Sequence, residues 1–244
     1  MLKVIVGMSG GVDSSVAAAL LKEQGCDVAG VTIRIKPEDG SDDDIRVAQA
    51  VAQKLDIAHY TVDCRELFSR EVVDDFCSEY GRGRTPNPCV RCNEHVKFAV
   101  LMNKARELDA EFIATGHYAR IERDEGSAKY HLEKGRDRGK DQSYFLYFLK
   151  QDVMGRILLP LGILKKDEVR NIARALGLAS AERGESRDVC FVASGDYRGF
   201  VGERMPRAGE PGPILDGNGD ELGRHSGILS YTVGQRKGMG ISAA

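Results

Sequence analysis

Short apolar runs rich in valine and isoleucine alternate, along the first half of the chain, with longer segments in which apolar residues recur at helical spacing. The predicted strand and helix pairs are, in chain order, strand 3–8 with helix 13–24, strand 27–35 with helix 42–55, and strand 58–62 with helix 65–80. Strands and helices that alternate with short turns form a parallel sheet covered on both faces. We therefore predict an α/β fold with a Rossmann-like, doubly wound parallel sheet.

The pattern continues with a helix over about residues 93–108 and an apolar strand, 112–117, that ends in small and polar residues. Such strand ends line the ligand crevice of a doubly wound sheet. Ser41 and Asp44 fit a capping box, so the acidic run 38–44 is interpreted as a helix start rather than as a metal site.

The composition changes from about residue 195. Glycines and prolines crowd residues 209–219, and a short extended run follows at 227–232. We predict two domains, residues 1–194 and a small β-rich domain at 195–244.

The 244-residue chain is long enough to bury a core without disulfides. Its 35 Lys and Arg residues nearly balance 37 Asp and Glu residues, so a polyanionic partner must be met by local basic clusters. The N-terminus has no signal-peptide pattern, and no apolar run is long enough to cross a membrane. We therefore predict a cytoplasmic protein without a membrane partner, whose six cysteines are thiols, redox groups or metal ligands.

The first predicted strand runs into a glycine-rich turn, after which an Asp and two Ser open a helix. Backbone N–H groups at such a helix N-terminus bind polyphosphates. The candidate nucleotide-binding residues are Gly7, Met8, Ser9, Gly10, Gly11, Val12, Asp13 and Ser14. Their spacing excludes a Walker A loop and a dinucleotide fingerprint. The turn resembles the pyrophosphate-binding loop (PP-loop) of the N-type ATP pyrophosphatases, which implies adenylation; the alternative is an ordinary turn between strand and helix.

Two of the cysteines, Cys89 and Cys92, form a C-x-x-C pair behind two prolines. This spacing is typical of a redox couple or of two ligands of one metal centre. Cys190 lies at a change from polar to apolar residues, and from the residues alone a buried structural cysteine is an equally good interpretation. The other cysteines fall in strand or helix patterns, where a buried thiol needs no function. They are Cys26, Cys64 and Cys77.

Several motifs together resemble those of the tRNA-specific 2-thiouridylase family. They are GMSGGVDSS at 7–15, GRTPNP at 83–88, CN at 92–93, ATGHY at 114–118, KDQSYFL at 140–146 and YTVGQRKGMG at 231–240. The resemblance implies a PP-loop domain of the adenine nucleotide alpha hydrolase type. It also implies an enzyme that replaces the C2 oxygen of the wobble uridine of tRNA by sulfur. ATP adenylates that oxygen, pyrophosphate leaves, sulfur attacks C2 and AMP departs, while Mg²⁺ neutralises charge.

The resemblance assigns nucleotide contacts to individual residues. It implies that residues 7–14 hold the phosphates and that Asp13 contacts Mg²⁺. The backbone of Ile33 would meet adenine, and Gly116 would lie beside the nucleotide.

The resemblance likewise implies contacts to tRNA and to sulfur. The tRNA-binding candidates are Asn87, Pro88 and Cys89 at the target base, together with Lys140, Asp141 and Gln142. The catalytic candidates are Cys92, which matches the family's catalytic cysteine, Cys190, which matches the cysteine that carries a persulfide, Cys89 and Asp13. The implied partners are tRNA and a sulfur donor, which is sulfide, a cysteine desulfurase or a relay protein.

The chain departs from the family pattern at Cys89, where many relatives have Asp. Three thiolates, from Cys89, Cys92 and Cys190, are what a 4Fe-4S cluster with one open iron needs. We therefore predict such a cluster. The alternative is a persulfide on Cys190 that ends in a disulfide with Cys92, a route that gives Cys89 no role.

A second departure is the end of the sequence, since relatives continue into a further β-barrel domain beyond residue 244. We expect this chain to lack that barrel and part of the tRNA contact surface with it. No pattern fixes the oligomeric state, and a homodimer is left open.

Local basic clusters are the expected phosphate contacts of a tRNA partner. They comprise Arg82, Arg84 and Arg91 beside the cysteine pair, the four cations of residues 134–140, and Arg236 with Lys237. For 134–140 a solvated surface is nearly as good an interpretation. Tyr118 or Tyr144 offers a ring for stacking on an unstacked base, although core packing is the stronger interpretation of each. His117 is interpreted as a hydrogen-bonded structural residue rather than as a general base.

Two other classes of function compete with this interpretation. A small-molecule adenylating amidotransferase or ligase would use the same loop but would not need the cysteine pair. A non-catalytic metal-binding or sulfur-carrier protein would need no ATP.

Overall fold

The structure is a computed structural model. It describes residues 1–35, 38–184, 189–192 and 195–241, with the side chains of these residues except those of 38–42. Two compact units are present. The first comprises Met1–Phe68 and Cys92–Glu185, and the second comprises Ser69–Arg91 and Ser186–Ala244. Ser69–Arg91 therefore groups with the carboxyl-terminal residues, and the domain boundary between residues 194 and 195 stays a prediction.

Strands and helices alternate over the first part of the chain. In chain order, the strands are β1 (Lys3–Gly7), β2 (Asp27–Arg34), β3 (Ala58–Asp63), β4 (Phe112–Ala114), β5 (Ala119–Arg123), β6 (Tyr130–Lys134), β7 (Ile157–Leu158), β8 (Gly212–Leu215) and β9 (Glu221–His225). The α-helices are α1 (Val12–Glu23), α2 (Glu38–Lys54), α3 (Arg65–Phe68), α4 (Asp74–Gly81), α5 (Pro88–Arg91), α6 (Ala99–Glu107), α7 (Gln151–Met154), α8 (Lys166–Ala175) and α9 (Tyr197–Arg204). Short 3₁₀ segments lie at Ser143–Leu146, Pro160–Ile163, Pro206–Gly209 and Ile228–Ser230, and π-helical segments at Ser69–Val73 and Cys92–Phe98.

The first unit is built on a five-stranded sheet with the spatial order β3-β2-β1-β4-β7. All its neighbouring strands pair in parallel, so the prediction of a doubly wound parallel sheet is confirmed. Ile5 of β1 lies in register between Ala29 of β2 and Ile113 of β4. The strand order reverses between β1 and β4, and ligands of such sheets bind outside the carboxyl ends of the strands at that point.

Side chains of β1 alternate between the two faces of the sheet, as strand geometry requires. Val4 and Val6 are fully buried in a cluster with residues of α1, α2 and α8. Ile5, between them, is fully buried in a second cluster that includes Leu101 of α6. Helices therefore cover both faces, and the apolar run that predicts β1 is apolar because both faces are buried.

Several predicted boundaries of the first unit need correction. Helix α2 begins at Glu38, before Ser41, so the predicted start near residue 42 is too late. The strand predicted over 112–117 ends at Ala114. The antiparallel hairpin of β5 and β6 was not predicted at all.

The second unit combines helices with one antiparallel hairpin, β8 with β9. Phe76 of α4 is 2% exposed and packs edge-on against Phe191, with ring centroids 5.2 Å apart. The extended run predicted at 227–232 is wrong, because Ile228–Ser230 forms a 3₁₀ turn there. Across the residues that the structure describes, no helix combines the length and the apolarity that crossing a membrane requires.

Candidate functional site

The turn after β1 is fixed to the neighbouring strands by hydrogen bonds. The N–H of Met8 donates to the carbonyl of Val31 at 2.8 Å, and the Thr32 hydroxyl donates to the carbonyl of Met8 at 2.7 Å. The same hydroxyl lies 2.9 Å from Nε2 of His59 on β3. Since Thr32 Oγ1 donates to Met8, it accepts from His59, whose ring is neutral because burial lowers its pKa. The base of the turn is thus bonded to two further strands.

Within the turn, two serines are hydrogen-bonded to each other and to the backbone. The N–H of Ser9 donates to the Ser14 hydroxyl at 3.1 Å, and the two hydroxyl oxygens are 3.3 Å apart. Gly10 has a φ of +75°, and a Cβ there would clash with the carbonyl oxygen of Asp44. Gly11 is the N-cap of α1, so the N–H groups of the first helical turn face away from the helix without intrahelical acceptors. N–H groups placed in this way can bind an anion.

The segment after β4 packs directly against the start of α1. A Cβ added to Gly116 would lie 2.7 Å from the backbone carbonyl carbon of Asp13 and 2.8 Å from the N of Ser14. Backbone atoms cannot yield as a flexible side chain does, so this approach requires glycine. The structure therefore brings Gly116 and the glycine-rich turn together at the strand-order reversal.

Asp13 is held by two residues from distant parts of the chain. Nζ of Lys166 lies 2.7 Å from each carboxylate oxygen, and the Tyr118 hydroxyl donates to Oδ1 at 2.7 Å. The Lys166 side chain is 9% exposed, and that of Asp13 is 35% exposed. This is a largely buried ion pair at the N-terminus of α1. Lys166 was not predicted as a site residue. Its one signal in the sequence is a Lys at the first position of α8, an otherwise amphipathic helix.

His117, which follows Gly116, is buried and hydrogen-bonded. Its Nδ1 lies 2.7 Å from the Thr115 hydroxyl, and its ring stacks on Phe98 with centroids 5.9 Å apart. Burial lowers the pKa of His117 well below its ordinary value, and the nearby positive charge of Lys97 acts in the same direction. A neutral, enclosed ring agrees with the interpretation of His117 as a structural residue.

The cysteines fall into two groups. Cys64 and Cys77 are buried, and burial raises the pKa of both thiols, as suits cysteines without a chemical role. Cys89, in α5, and Cys190 are exposed, and Cys92, the first residue of a π-helical segment, is half-buried. Among the residues described, no three His, Cys, Asp or Glu side chains are gathered as a metal site would require. Cys92 belongs to the first unit and Cys89 and Cys190 to the second, and a cluster held by the three thiols stays a prediction.

Comparisons with known proteins decide the family. Residues 2–194 match the family model described as the tRNA methyl transferase HUP domain, and residues 198–244 match the tRNA methyl transferase PRC-barrel domain. The tRNA-specific 2-thiouridylase MnmA of Geobacter metallireducens is 50% identical over 98% of this chain and 68% of its own length. That of Moorella thermoacetica is 49% identical, over 98% and 70%. The chain belongs to the tRNA-specific 2-thiouridylase family.

A solved structure has a related fold. The U34-tRNA thiolase NcsA from Methanococcus maripaludis, solved with its [4Fe-4S] cluster, has a TM-score of 0.50 and 22% identity. The match covers 84% of this chain and 67% of NcsA. At this identity the likeness supports the fold alone. The thiouridylase relatives do not favour the alternative of a small-molecule ligase.

The residues that the family resemblance assigns to the target base begin α5. Oδ1 of Asn87 accepts from the N–H of Val90 at 3.2 Å, so Asn87 caps this helix. Pro88 is buried, and Cys89 is exposed. Arg91, at the end of α5, lies 3.4 Å from a carboxylate oxygen of Asp75.

Arg82 and Arg84, the other two cations predicted beside the cysteine pair, both pair with Glu79, at 3.1 Å and 2.7 Å. The positive charge of this predicted basic cluster is therefore partly neutralised.

The second group that the thiouridylase resemblance assigns to tRNA has internal bonds. Asp141 accepts from the N–H of Gly135 at 2.9 Å and from the hydroxyl of Ser143 at 2.9 Å. Gln142 exchanges two hydrogen bonds with the backbone of Tyr118, its Oε1 accepting at 3.1 Å and its N–H donating at 2.9 Å. The side chains of Asp141 and Gln142 thus stabilise the local fold through these hydrogen bonds, and their predicted contact with tRNA stays a prediction.

Three further predictions concern single side chains. Ile33 is half-buried near the end of β2, in register with Val62, and its contact with adenine stays a prediction. Tyr118 is 2% exposed, in agreement with core packing, and it also binds Asp13. Tyr144 is 63% exposed, so the prediction of core packing is wrong for it.

Proposed function

We propose that this protein replaces the C2 oxygen of the wobble uridine of tRNA by sulfur at the expense of ATP. The observation that supports this best is the glycine-rich turn at the strand-order reversal, in a chain of the 2-thiouridylase family. A carbonyl oxygen is a poor leaving group until it becomes a phosphate ester. A turn that binds pyrophosphate beside an acceptor base supplies that activation.

In the proposed reaction, the C2 oxygen attacks the α-phosphate of ATP and pyrophosphate leaves. Residues 7–14 bind the departing pyrophosphate through the N–H groups at the start of α1. Gly116, whose lack of a side chain lets it pack against the start of α1, lies beside the nucleotide, and the backbone of Ile33 meets the adenine. Positioned charge, rather than a general base, carries this step, so the neutral His117 needs no proton-transfer role.

Asp13 is the proposed Mg²⁺ contact, because Mg²⁺ takes carboxylate and phosphate oxygens as ligands. When bound, Mg²⁺ would neutralise charge on the phosphates. Both oxygens of Asp13 now accept from Lys166. We propose that Lys166 keeps this carboxylate oriented before the nucleotide binds.

Sulfur handling is proposed for Cys89, Cys92 and Cys190. In the persulfide route, the outer sulfur of a Cys190 persulfide attacks C2 and AMP leaves. The Cys92 thiolate then attacks the Cys190 sulfur, which breaks the S–S bond to the base and yields 2-thiouridine and a Cys92–Cys190 disulfide. A thiol reductant must then reduce that disulfide.

In the alternative route, the three thiolates hold a 4Fe-4S cluster. Cys92 lies in the first unit and Cys89 and Cys190 in the second, so the cluster stays a proposal and no step is routed through it. Cys89 is exposed and departs from the family pattern, and both observations are reasons to test the cluster route experimentally.

Iron content decides between the two routes. Iron and acid-labile sulfide should be measured per chain after anaerobic reconstitution, for the wild type and for Cys89→Ala, Cys92→Ala and Cys190→Ala. About four irons, lost in every variant, would support the cluster. Negligible iron, with thiolation retained only by Cys89→Ala, would support the persulfide.

The remaining proposals concern the setting of the reaction. The partners are tRNA and a sulfur donor, either sulfide itself, a cysteine desulfurase or a relay protein. We propose a cytoplasmic enzyme whose PP-loop domain ends near residue 194 and is followed by a small domain at 195–244. A homodimer is compatible with this reaction but is not required by it.

The function is tested with unmodified tRNA transcript, ATP, Mg²⁺, a thiol reductant and a sulfur donor, by mass spectrometry of the nucleosides and by pyrophosphate release. Sulfide is the donor in one arm, and cysteine with a cysteine desulfurase, which transfers sulfur already at the persulfide level, is the donor in the other. We expect one pyrophosphate and one AMP per 2-thiouridine formed. A transcript with cytidine at the wobble position is the matched control and should give neither. Methylated nucleoside without ATP consumption would instead favour a methyl transferase. ATP turnover that is indifferent to tRNA would favour a small-molecule ligase.

A further inference from the structure

Two tyrosines project into solvent from the Ser143–Leu146 segment and the residue after it. Tyr144 is 63% exposed and Tyr147 is 66% exposed, and their ring centroids are 6.0 Å apart. Phe145 packs edge-on against Tyr144 at 5.7 Å, and Leu146 between the tyrosines is fully buried. Neither phenol hydroxyl has a hydrogen-bond partner among the residues that the structure describes. Exposed ring surface of this size is costly in water unless something covers it. We refer to Tyr144 and Tyr147 as the tyrosine ledge.

The ledge is fixed to the residue that follows Cys92. Nδ2 of Asn93 donates to the carbonyl of Phe145 at 3.2 Å, and Nζ of Lys97 donates to Oδ1 of Asn93 at 2.8 Å. Asn93 is 2% exposed, so these bonds are sheltered from water. The segment that carries the ledge is therefore hydrogen-bonded to the residue next to Cys92, which is a catalytic candidate.

The other end of the segment is fixed to the nucleotide end of the sheet. Gln142 exchanges two hydrogen bonds with the backbone of Tyr118, and the hydroxyl of Tyr118 binds Asp13. Asp141 accepts from both the N–H and the hydroxyl of Ser143. The ledge is thus held between the residue that follows Cys92 and the tyrosine that binds Asp13, by contacts within the first unit.

The chemistry of the substrate supplies an occupant for the ledge. A base inside an anticodon loop is stacked on its neighbours, and exposing C2 of the target base disrupts that stack. Proteins that hold single-stranded RNA compensate by stacking the displaced bases on aromatic side chains. Two exposed rings on a segment that is hydrogen-bonded to the residue after Cys92 offer such a surface, and their hydroxyls remain available to a base edge or a phosphate.

We propose that Tyr144 and Tyr147 stack on an unpaired nucleobase of the tRNA that neighbours the target uridine. This inference rests on the proposed tRNA thiolation. It assigns to these side chains a positioning role that does not involve the reacting atoms.

The test compares Tyr144→Ala, Tyr147→Ala and the double variant with the matching Tyr→Phe variants, which keep the rings. Ile163→Ala is the control, because Ile163 is an equally exposed (64%) apolar side chain on another 3₁₀ segment of the same unit. The Kd for tRNA and the kcat/KM for thiolation are measured with tRNA that carries 2-aminopurine next to the target uridine.

Stacking on the ledge should quench 2-aminopurine fluorescence when the wild type binds. We expect the double alanine variant to lose this quenching and to weaken tRNA binding about tenfold, or about 1.4 kcal/mol. The phenylalanine variants and Ile163→Ala should stay within about twofold of the wild type. Thermal melting identifies any variant that fails to fold.

Unchanged Kd and unchanged quenching in the double alanine variant would overturn the proposal while leaving tRNA thiolation intact. Loss of thiolation only when a protein supplies the sulfur, with sulfide-supported thiolation unaffected, would instead make the ledge a protein-docking surface and would also overturn it. If the wild type forms no 2-thiouridine, the proposed function itself is wrong. Thiolation by the wild type is therefore measured first, before any variant is compared.

Discussion

The nucleotide end of the sheet and the cysteine-bearing segments hold their chemical groups in different ways. Asp13 is held by three hydrogen bonds, two of them from a lysine that is 9% exposed. Cys89 and Cys190 are exposed instead. Charge that must act on ATP benefits from groups fixed before the nucleotide arrives. A thiol that must receive sulfur from another molecule has to be reachable. With the roles proposed above, activation is preorganised and sulfur delivery is not.

The largest expected effect follows from removing the carboxylate at the preorganised end. We expect Asp13→Ala to reduce tRNA-dependent pyrophosphate release by about 1,000-fold or more, because a metal contact and a fixed charge are lost together. Pyrophosphate is measured enzymatically with saturating tRNA. The exposed Asp27→Ala is the matched control and should behave as the wild type. Full pyrophosphate release by Asp13→Ala would show that this carboxylate is not needed for activation by ATP, and would contradict its proposed role at the nucleotide end of the sheet.

The next effect concerns stability. Lys166→Ala leaves Asp13 without its main partner, and breaking a buried ion pair typically costs about 3–5 kcal/mol. Because Asp13 is 35% exposed and keeps its bond from Tyr118, we expect about 3 kcal/mol. Urea denaturation measures the free energy of unfolding. The exposed neighbour Lys165→Ala should change it by less than about 0.5 kcal/mol. Equal free energies of unfolding for the two variants would show that the ion pair between Lys166 and Asp13 does not stabilise the fold.

A smaller effect depends on pH. Since burial lowers the pKa of His117 in the folded protein below 6.5, the unfolded chain binds the proton first as the pH falls. Stability from this residue is therefore complete above pH 6.5 and decreases below it, by up to about 1.4 kcal/mol per pH unit. His59 is shifted in the same direction. Denaturation curves at pH 7.5, 6.5 and 5.5 should show a shallower decline for His117→Gln, and parallel curves would contradict the assignment.

The smallest effect is expected at the exposed cysteines. Cys89→Ala should change the free energy of unfolding by less than about 0.5 kcal/mol, because the thiol makes little buried contact. Cys77→Ala, in the same unit and 3% exposed, should cost between about 0.5 and 3 kcal/mol. The two variants are compared by urea denaturation. A large loss for Cys89→Ala would mean that the cysteine segment is as firmly held as the nucleotide end.

Local patterns were sufficient to predict four of the five strands of the parallel sheet and the turn after β1, whereas the two-residue strand β7 was not predicted. Residues 3–8 and the glycines after them form one continuous signal, and the chemistry of the turn is contained within it. The partners of Asp13 are different, because Lys166 lies 153 positions away and only the folded sheet brings it to α1. No periodicity or motif reports such a contact.

Other differences between expectation and structure have equally physical causes. The grouping of Ser69–Arg91 with the carboxyl-terminal residues is set by tertiary contacts that no local pattern reports, and the domain boundary near residue 194 stays a prediction. Tyr144 was predicted to pack in the core, but the sequence alone does not show which side chains of a 3₁₀ segment face solvent; in this segment Leu146 is buried and Tyr144 is exposed. The pairing of β5 with β6 was not predicted, because polar and charged residues outnumber the apolar ones in both strands.

The π-helical segment Cys92–Phe98 begins at Cys92, and α6 follows it without interruption. A π-helical turn takes in about one residue more than an α-helical turn. A segment of this kind absorbs the loss of one residue by returning to α-helical winding, while the residues on either side keep nearly the same direction. A gene that lost three nucleotides there would therefore encode a protein in which Cys92 still points close to its present direction, and the change would be confined to the residues of the wide turn.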